Sequence, residues 1–316
     1  MKAKHTLAGA LALAMLASTA VSFQVSAADT AVTLKGAKVE AEAGGEFSVD
    51  VSLEDIPSTK VNVMDFAVTY DQTVLNVDSV KIGKSADVDV SGDSTANDAP
   101  VFATNIKDGE ITVSWTTALD SNSWISEDGV ILTITGTVKD GVADGTVTPI
   151  DFAPVTRETY DGSGKNNSSM VIGYVYGGDS ATYTINAEAG SVTIGSKQTT
   201  TVTTTEGGKD TTATEATTTA TESKTDVTKA TTTISGNIVT GTVAPGSVLY
   251  GDVNCDARVD ITDAVMLNKA AAGVVTLNDT QRKNADCNGD EEVGSQDATT
   301  LLMFLVNIIK TLPYSD

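Results

Sequence analysis

Two acidic segments near the C-terminus constrain the fold of this chain more than any other feature of its sequence. The first is GDVNCDARVDITD, which begins at Gly251, and much of its pattern from Asp252 onward returns 34 residues later in DCNGDEEVGSQD. Clustered carboxylates repel one another unless a cation lies among them. Calcium binds about six to eight oxygens, and in calcium loops positions 1, 3, 5, 7, 9 and 12 face the ion. The duplication therefore predicts two calcium loops.

Each loop supplies a defined set of oxygen ligands. The ninth position of the second loop is Gly294, which has no side chain, so a water molecule is expected there and the second site is predicted to be weaker or more dependent on the first loop. Magnesium suits such loops less well, because it requires a stricter octahedron. Solvated acidic turns are the alternative, but an apolar helical pattern follows each loop, and without an ion the segment is expected to lose its fold. The candidate ligands of the two calcium ions are Asp252, Asn254, Asp256, the backbone carbonyl of Arg258, Asp260 and Asp263 in the first loop and Asp286, Asn288, Asp290, the backbone carbonyl of Glu292 and Asp297 in the second.

The sequence around the loops follows a helical period. ITDAVMLNKAAAG follows the first loop, DATTLLMFLVNIIK follows the second, and LNDTQRKNA between them predicts a short connecting helix with Asn278 as its N-cap. VAPGSVLY before the first loop disfavours a helix, because it contains Pro245, Gly246 and β-branched residues. The apolar stripe predicted for the last helix consists of Leu301, Leu302, Leu305, Ile308 and Ile309.

From Thr30 to Gly195 apolar residues alternate with polar ones, which is typical of strands with one face in a core and the other in water. In MDFAVTYD the alternation places Phe66 on one face and Asp65 on the other, and in EITVSWTT it places Trp115 inward and Thr116 outward. NIKDGEITV predicts a β-hairpin. The predicted fold class is therefore multi-domain: an all-β sandwich of jelly-roll type with about nine strands, joined by a disordered linker to a small all-α domain with paired calcium loops.

A segment of very different composition separates the two patterned regions. From Ser196 to Thr233 the chain has 18 threonines in 38 positions and almost no large apolar residue, so it cannot bury enough surface to offset the entropy of ordering. At the N-terminus, a basic start and an apolar run end in small residues before Ala27, which indicates a cleaved secretory signal. The predicted domains are a signal peptide at 1–27, a β-sandwich at 28–195, a Thr-rich linker at 196–247 and a calcium-loop helical domain at 248–316.

Charge and composition exclude several functions. The net charge of −22 opposes binding to nucleic acid, whose phosphates need basic partners, and no second apolar run is long enough to span a membrane. The only histidine, His5, lies in the predicted signal, so the mature chain has no Ser-His-Asp or Cys-His system. Cys255 and Cys287 are the only cysteines, and the sequence leaves open whether they form a disulfide.

The residues of both regions resemble known families. GDVNCDARVDITDAVMLNKAAAG and DCNGDEEVGSQDATTLLMFLV resemble a dockerin module of the cellulosome, and the sandwich, with MDFAVTYD and GVILTITGTV, resembles a cohesin. Cohesin, Thr-rich linker and dockerin together resemble an adaptor scaffoldin of a fibre-degrading gut bacterium. The resemblance implies that the cohesin binds the dockerin of a polysaccharide-degrading enzyme and that the dockerin binds the cohesin of another scaffoldin. It also implies a secreted protein that is attached to a cell surface only through a larger scaffoldin complex.

The resemblance assigns partner-binding residues by position. Dockerins use loop positions 10 and 11 and points on the following helix, and cohesins use an Asp before the Phe of the third strand and residues on and after the sixth. The two dockerin halves differ in charge and bulk here, so one docking orientation is expected. Val63 replaces an Asn that is frequent in cohesins, so partner specificity is expected to differ. The candidates are Ile261, Thr262, Asn268, Lys269, Ser295, Gln296, Leu302 and Met303 on the dockerin and Asp65, Thr116 and Leu119 on the cohesin.

Two other function classes are weighed against the adaptor. An enzyme acting on sugars would need a carboxylate pair beside a cleft, and a glycan-binding or adhesin-like surface protein would need aromatic platforms. Aromatic residues make up only 5% of the chain, and Trp124 in a predicted loop is the only tryptophan not facing inward. The adaptor is therefore favoured. Because two matching modules on one chain would close on each other, the cohesin is expected not to bind the dockerin of its own chain.

Overall fold

The computed structural model describes residues 31–88, 101–117, 121–176, 179–195 and 247–314. In these ranges the chain forms an N-terminal β-sandwich and a C-terminal domain of three α-helices, which confirms the predicted fold class. None of the helices found in these ranges is long and apolar enough to cross a membrane. The predicted signal peptide and nearly all of the predicted linker lie outside the described residues.

The sandwich contains more strands than the nine predicted, because several edge strands are too short for a clear alternation of apolar residues. Strands β1 and β2, for example, are separated only by Ala37. Within the described residues the strands are β1 (Ala31–Gly36), β2 (Lys38–Glu42), β3 (Glu46–Glu54), β4 (Val63–Tyr70), β5 (Leu75–Ile82), β6 (Val101–Lys107), β7 (Glu110–Thr116), β8 (Gly129–Val138), β9 (Val147–Ala153), β10 (Val171–Tyr176), β11 (Asp179–Thr182), β12 (Thr184–Glu188) and β13 (Gly190–Gly195).

These strands form two sheets. The first sheet has the order β12-β1-β3-β8-β5. In the second sheet β4 is central: it pairs with β7 along one edge and with β10 and β9 along the other. Strand β7 also pairs with β6 through the predicted Lys107–Glu110 hairpin, and β9 continues into β13 and β2. Strand β4 therefore presents the middle of a broad outer face.

The inner faces of the two sheets form the core of the sandwich. The side chains of Phe66 and Trp115 are fully buried there, at 0% exposure. The indole nitrogen of Trp115 donates a hydrogen bond to the carbonyl of Ala86 at 3.1 Å, which satisfies the one polar group of this large side chain. The inward positions predicted from the alternation of β4 and β7 are confirmed.

The outer faces of the two sheets differ in a way that the sequence does not reveal. On the first sheet β3 buries every second residue and exposes Ser48 and Asp50 between them, as expected for a sheet with one face in water. On the second sheet β4 and β7 are buried on both faces. Asp65 and Thr116 point outward as predicted but are only 1% and 0% exposed. Another part of the molecule must cover this face.

The C-terminal domain has the three predicted helices: α1 (Ile261–Ala271), α2 (Asp279–Ala285) and α3 (Ser295–Leu305). Asn278 caps α2 by accepting from the backbone amides of Thr280 and Gln281, which confirms the predicted N-cap. The predicted stripe on the last helix is wrong at Ile308, which is 51% exposed. Helix α3 ends at Leu305, and Asn307 adopts a positive φ of 63°, which turns the chain before Ile308.

Candidate calcium loops and module interface

The first acidic loop is shaped by its own carboxylates. Asp252 accepts a hydrogen bond from the backbone amide of Asp256 at 2.9 Å. Asp263, in the first turn of α1, accepts from the amides of Asn254 and Asp260, both at 2.9 Å. Asp260 is the N-cap of the same helix. The predicted side-chain ligands thus belong to one closed loop at the start of α1.

The second loop repeats this geometry 34 residues further along the chain. Asp297, in the first turn of α3, accepts from the amides of Asn288 at 3.2 Å and Gly294 at 2.8 Å. Carboxylate oxygens of Asp286, Asp290 and Asp297 all lie within 4.8 Å of one another. Three converging carboxylates of this kind form an arrangement that can hold a cation.

The electrostatics of the first loop also favour a cation. Burial, with a contribution from the charge of Asp260, raises the pKa of Asp252 to about 6 and that of Asp256 to about 7. Burial and the neighbouring carboxylates raise the pKa of Asp263 well above its usual range. Ionisation of these buried, clustered carboxylates is therefore unfavourable unless a cation compensates their charge. All the predicted ligand atoms are oxygens, and such a donor set fits calcium rather than zinc or another soft metal.

The backbone of both loops is left-handed at matching positions. The fourth position has a φ of 63° at Cys255 and 80° at Gly289, and the sixth has a φ of 65° at Ala257 and 68° at Glu291. Residues other than glycine rarely adopt such angles. The loops therefore carry backbone strain, and a bound cation is one source of the free energy that offsets it.

The two cysteines, which the sequence left open, are free thiols in the structure. Cys255 is exposed and Cys287 is buried in the helical domain. Burial raises the pKa of the Cys255 thiol to about 11, and the pKa of Cys287 is raised for the same reason. Both thiols are therefore protonated at neutral pH and are poor nucleophiles.

The helical domain covers the outer face of the second sheet. Helix α1 packs against β4, β7 and β10. Val63 of β4 and Val175 of β10 belong to the same buried apolar cluster as Ile261, Val265 and other residues of α1 and α3. We call the outward residues of β4, β6, β7 and β10, together with the loop 155–160, the docking face. Its coverage explains why the polar side chains of β4 and β7 are buried.

A buried ion pair lies at the centre of the docking face. The guanidinium of Arg157 contacts Asp65 at 3.0 Å, and the two side chains are 4% and 1% exposed. Ser114 donates a second hydrogen bond to Asp65 at 2.8 Å. The other terminal nitrogen of Arg157 donates to the carbonyl of Val259, in the first acidic loop, at 2.9 Å. One arginine thus joins the sandwich to the helical domain.

Two further hydrogen bonds hold the two ends of the α1 region. The ammonium of Lys269 donates to the carbonyl of Val175 at 2.7 Å. The backbone amide of Val259 donates to the carbonyl of Thr159 at 2.9 Å. Lys269 and Val259 lie at opposite ends of the α1 region, so the helix is held along its length.

The end of α3 provides a third contact. The carbonyl of Val306 accepts hydrogen bonds from the Asn105 amide and the Thr112 hydroxyl, both at 3.0 Å. The side-chain amide of Asn307 donates to the carbonyl of Thr156 at 2.9 Å. The Val306 carbonyl would be left unpaired by the end of the helix, so the docking face caps α3 as well as binding it.

The predicted partner-binding residues do not all lie at this interface. Asp65, Thr116 and Lys269 are buried at the interface or directly beneath it. Leu119 lies outside the described residues. The four candidates of the first dockerin half are buried or half-buried, but Ser295 and Gln296 of the second half are exposed. Arg157, Asn105 and Thr112 were missed by the sequence analysis, because no motif marks them and their partners are distant along the chain. The candidates of the first half are Ile261, Thr262, Asn268 and Lys269, and those of the second are Ser295, Gln296, Leu302 and Met303.

Trp124, the tryptophan that the sequence placed in a loop and that could have formed a sugar-binding platform, is buried in the structure. Trp124 is 6% exposed and stacks on Tyr174, with the ring centroids 6.1 Å apart. Among the large hydrophobic side chains that the described part of the chain exposes, only Tyr314 is aromatic. The prediction of a free Trp124 was wrong, and its burial weakens the glycan-binding alternative.

Comparison with known families identifies both domains. The cohesin domain model matches residues 32–175, and the dockerin type I domain model matches residues 250–305. Together the two segments cover more than half of the chain. The fold and the interface thus define a protein built from two interaction modules. The chain belongs to the cohesin- and dockerin-bearing proteins, and it has the module combination of a scaffoldin-like adaptor. Type I dockerin domains bind calcium.

Solved structures show similarity to the cohesin half. The seventh ScaB type I cohesin of Pseudobacteroides cellulosolvens is 24% identical, with a TM-score of 0.37, and the match covers 52% of this chain and 93% of that one. A type I cohesin–dockerin complex from Clostridium thermocellum matches at 20% identity and a TM-score of 0.41, covering 55% and 99%. A non-cellulosomal cohesin from Archaeoglobus fulgidus matches at 17% identity and a TM-score of 0.36, covering 53% and 92%. A comparison with curated proteins finds no match.

Proposed function

We propose that the chain is a non-catalytic, secreted adaptor scaffoldin that helps to assemble a plant polysaccharide-degrading complex. Its cohesin binds the dockerin of an enzyme, and its dockerin binds the cohesin of another scaffoldin in a calcium-dependent way. Both matched families are non-catalytic interaction modules. The observation that carries the proposal is the docking face around Asp65 and Arg157, which offers apolar contacts and paired polar groups to a dockerin helix.

Two calcium ions, one in each loop, are part of the proposal. Their charge would compensate the carboxylates that burial leaves with raised pKa values in the first loop. Asp263 and Asp297 lie in the first turns of α1 and α3, so each ion would also fix the start of a helix. The side-chain ligands proposed are Asp252, Asn254, Asp256, Asp260 and Asp263 for one ion and Asp286, Asn288, Asp290 and Asp297 for the other, with the carbonyls of Arg258 and Glu292 completing the sets.

The experiment is a capture from the secretome of a cellulolytic bacterium on the immobilised full-length chain. Two substitutions separate the two faces. Asn105→Arg places a large side chain where Asn105 meets Val306, so it should block the cohesin face. Lys269→Glu reverses the charge of the group that donates to Val175, so it should block the dockerin face. We expect the first variant to capture proteins with cohesins and the second to capture proteins with dockerins, and a chelator should abolish both captures.

The matched controls are Ser48→Arg, which lies on the exposed outer face of the first sheet, and Lys283→Glu, which reverses an exposed charge on α2. Each control chain should capture the same proteins as the unaltered chain, and in the same amounts. The proposal is wrong if neither the Asn105→Arg chain nor the Lys269→Glu chain captures a protein that mass spectrometry identifies as bearing a cohesin or a dockerin. Binding of the purified chain to insoluble cellulose, unaffected by either substitution, would support the glycan-binding function instead.

A further inference from the structure

The structure contradicts one expectation from the sequence: the cohesin was expected not to bind the dockerin of its own chain, yet its docking face is covered by that dockerin. We propose that the chain closes on itself and thereby masks both binding faces at once, so that a foreign partner bound at either face promotes binding at the other. The closure follows from the contacts of this chain alone. Its effect on enzyme and scaffoldin partners depends on the proposed function.

The first support is that the contacts are chemically matched on both sides. Arg157 has a buried carboxylate on its own module and the Val259 carbonyl on the other. Lys269 donates to Val175, and Val306 accepts from both Asn105 and Thr112. Buried polar groups of a mismatched pair would remain unpaired, at a cost of about 1–3 kcal/mol each. Three buried polar atoms of the interface region, Thr116 Oγ1, Arg157 Nε and Asn268 Nδ2, have no hydrogen-bond partner among the described residues, so the polar match is extensive but not complete.

The second support is the extent to which the docking face is buried. Val63, Ala67 and Ser114 point outward from the second sheet and are 0–1% exposed. The corresponding positions of β3 on the first sheet, such as Ser48 and Asp50, are exposed. The difference between two outer faces of one sandwich is accounted for by the dockerin that packs on only one of them.

The connection between the modules is long enough for closure. Residues 196–246, which number 51, join Gly195 to Ser247. An extended chain of that length reaches up to about 170 Å, so the connection does not prevent the dockerin from reaching its own cohesin. A tether of this kind gives an effective concentration on the order of 1 mM. A pair with a dissociation constant of about 1 μM in trans would then be closed about 10³-fold over open.

Closure couples the two faces by mass action. If the closed form is favoured over the open form by a factor K, a first partner binds (1 + K)-fold more weakly than it would bind an open chain. Once it has bound, the other face is free, and the second partner binds with its full affinity. Because linkage is reciprocal, a partner at the dockerin favours binding at the cohesin by the same factor. The chain is then an adaptor that joins two partners cooperatively.

The test uses full-length chains and no foreign partner. The Asn105→Arg chain has an intact dockerin, and the Lys269→Glu chain has an intact cohesin, so the two should pair with each other in trans. We expect the Asn105→Arg chain to bind the Lys269→Glu chain at least about 100-fold more tightly than it binds the unaltered chain, whose cohesin is masked. In small-angle scattering the unaltered chain should be compact at every concentration, and both variants should be extended.

The controls test whether the variants are folded and whether the modules pair within one chain or between two copies. The Lys283→Glu and Ser48→Arg chains should remain compact, and the trans pair itself shows that both variants are folded. Equal affinities for the unaltered and the Lys269→Glu chains would overturn closure, and so would an extended unaltered chain. Oligomers of the unaltered chain that grow with concentration would show pairing between copies and would also overturn it. Failure of the secretome capture would leave these results unchanged, so the two proposals fail separately.

Discussion

Arg157 is the residue on which the interface most depends, because it satisfies groups on both modules at once. In the closed chain, burial raises the pKa of Asp65 although the charge of Arg157 opposes this shift. A buried pair of this kind adds little compared with an apolar pair, but removing one partner leaves the other charge buried and uncompensated. When the chain opens, water solvates the charge of Asp65. Loss of Arg157 therefore destabilises the closed state and not the open one.

The first prediction follows from this asymmetry. Arg157→Ala, introduced into the Lys269→Glu chain, should weaken its binding to the Asn105→Arg chain by about 2–5 kcal/mol, or at least about 30-fold. Calorimetry measures the loss. The matched control is Lys35→Ala, which removes an exposed ion pair with Glu54 on the first sheet and should change the affinity less than about twofold. Equal effects of the two substitutions would show that Arg157 does not connect the modules.

The second prediction concerns pH and Lys269. Burial lowers the pKa of Lys269 to about 8 in the closed chain, against 10.5 for an exposed lysine. The open state therefore binds more protons between these values, and closure should strengthen as the pH rises from about 8 towards 10.5. Below pH 8 both states are protonated, and this group contributes no pH dependence.

The measurement is the dissociation constant of the trans pair between pH 7 and pH 10. A second Asn105→Arg chain that also carries Lys269→Met provides the control, because methionine has no proton to lose. The Cys255 thiol, with a pKa raised to about 11, titrates above the window. If the dissociation constant depends on pH in the same way for the methionine chain and the lysine chain, Lys269 is not the group that titrates.

At the scale of the elements, the sequence was sufficient wherever a short pattern determines the structure. The conformation of the two acidic loops, the three helices and the Asn278 cap depend on residues within one or two turns of each other. The burial of β4 on both faces depends instead on a module about 200 residues away along the chain. Nothing in MDFAVTYD distinguishes an outer face in water from one under a helix. Trp124 and Ile308 were placed wrongly for similar reasons, because their surroundings are set by tertiary packing and by the end of α3.

The third prediction is that Asp263→Asn unfolds the start of α1. Asp263 is fully buried and accepts two backbone amides, and asparagine would point an amino group at one of them and supply no charge to calcium. We expect the calcium stoichiometry to fall from two to one and the helical circular dichroism to decrease. Asp279→Asn, on the exposed first turn of α2, should change neither. Two ions still bound to the Asp263→Asn chain would show that this carboxylate is not a ligand.

At the scale of the molecule, the two modules have opposite roles in one equilibrium. In the proposed adaptor, the dockerin is both a connector to another scaffoldin and a competitor for its own cohesin. The proposed adaptor functions only where the free concentration of a partner exceeds about K times its dissociation constant for the open chain. One solution for an adaptor is a cohesin face that clashes with its own dockerin, and a reversible closed state is another. The contacts around Arg157 and Val306 indicate the second.

The fourth prediction turns the closed chain into two separable parts. With a protease site inserted between residues 196 and 246, cleavage should convert the intramolecular pair into a complex of two pieces. At micromolar concentration the pieces should elute together, and on dilution below the dissociation constant of the trans pair they should separate. A chelator should release the dockerin at any concentration, because the loop that presents Val259 loses its ion. The uncut chain should stay compact on dilution, since tethering keeps the effective concentration near 1 mM. If the pieces stay separate even at about 100 μM, closure of the uncut chain is favoured by less than about tenfold, and the internal pair is too weak to regulate binding.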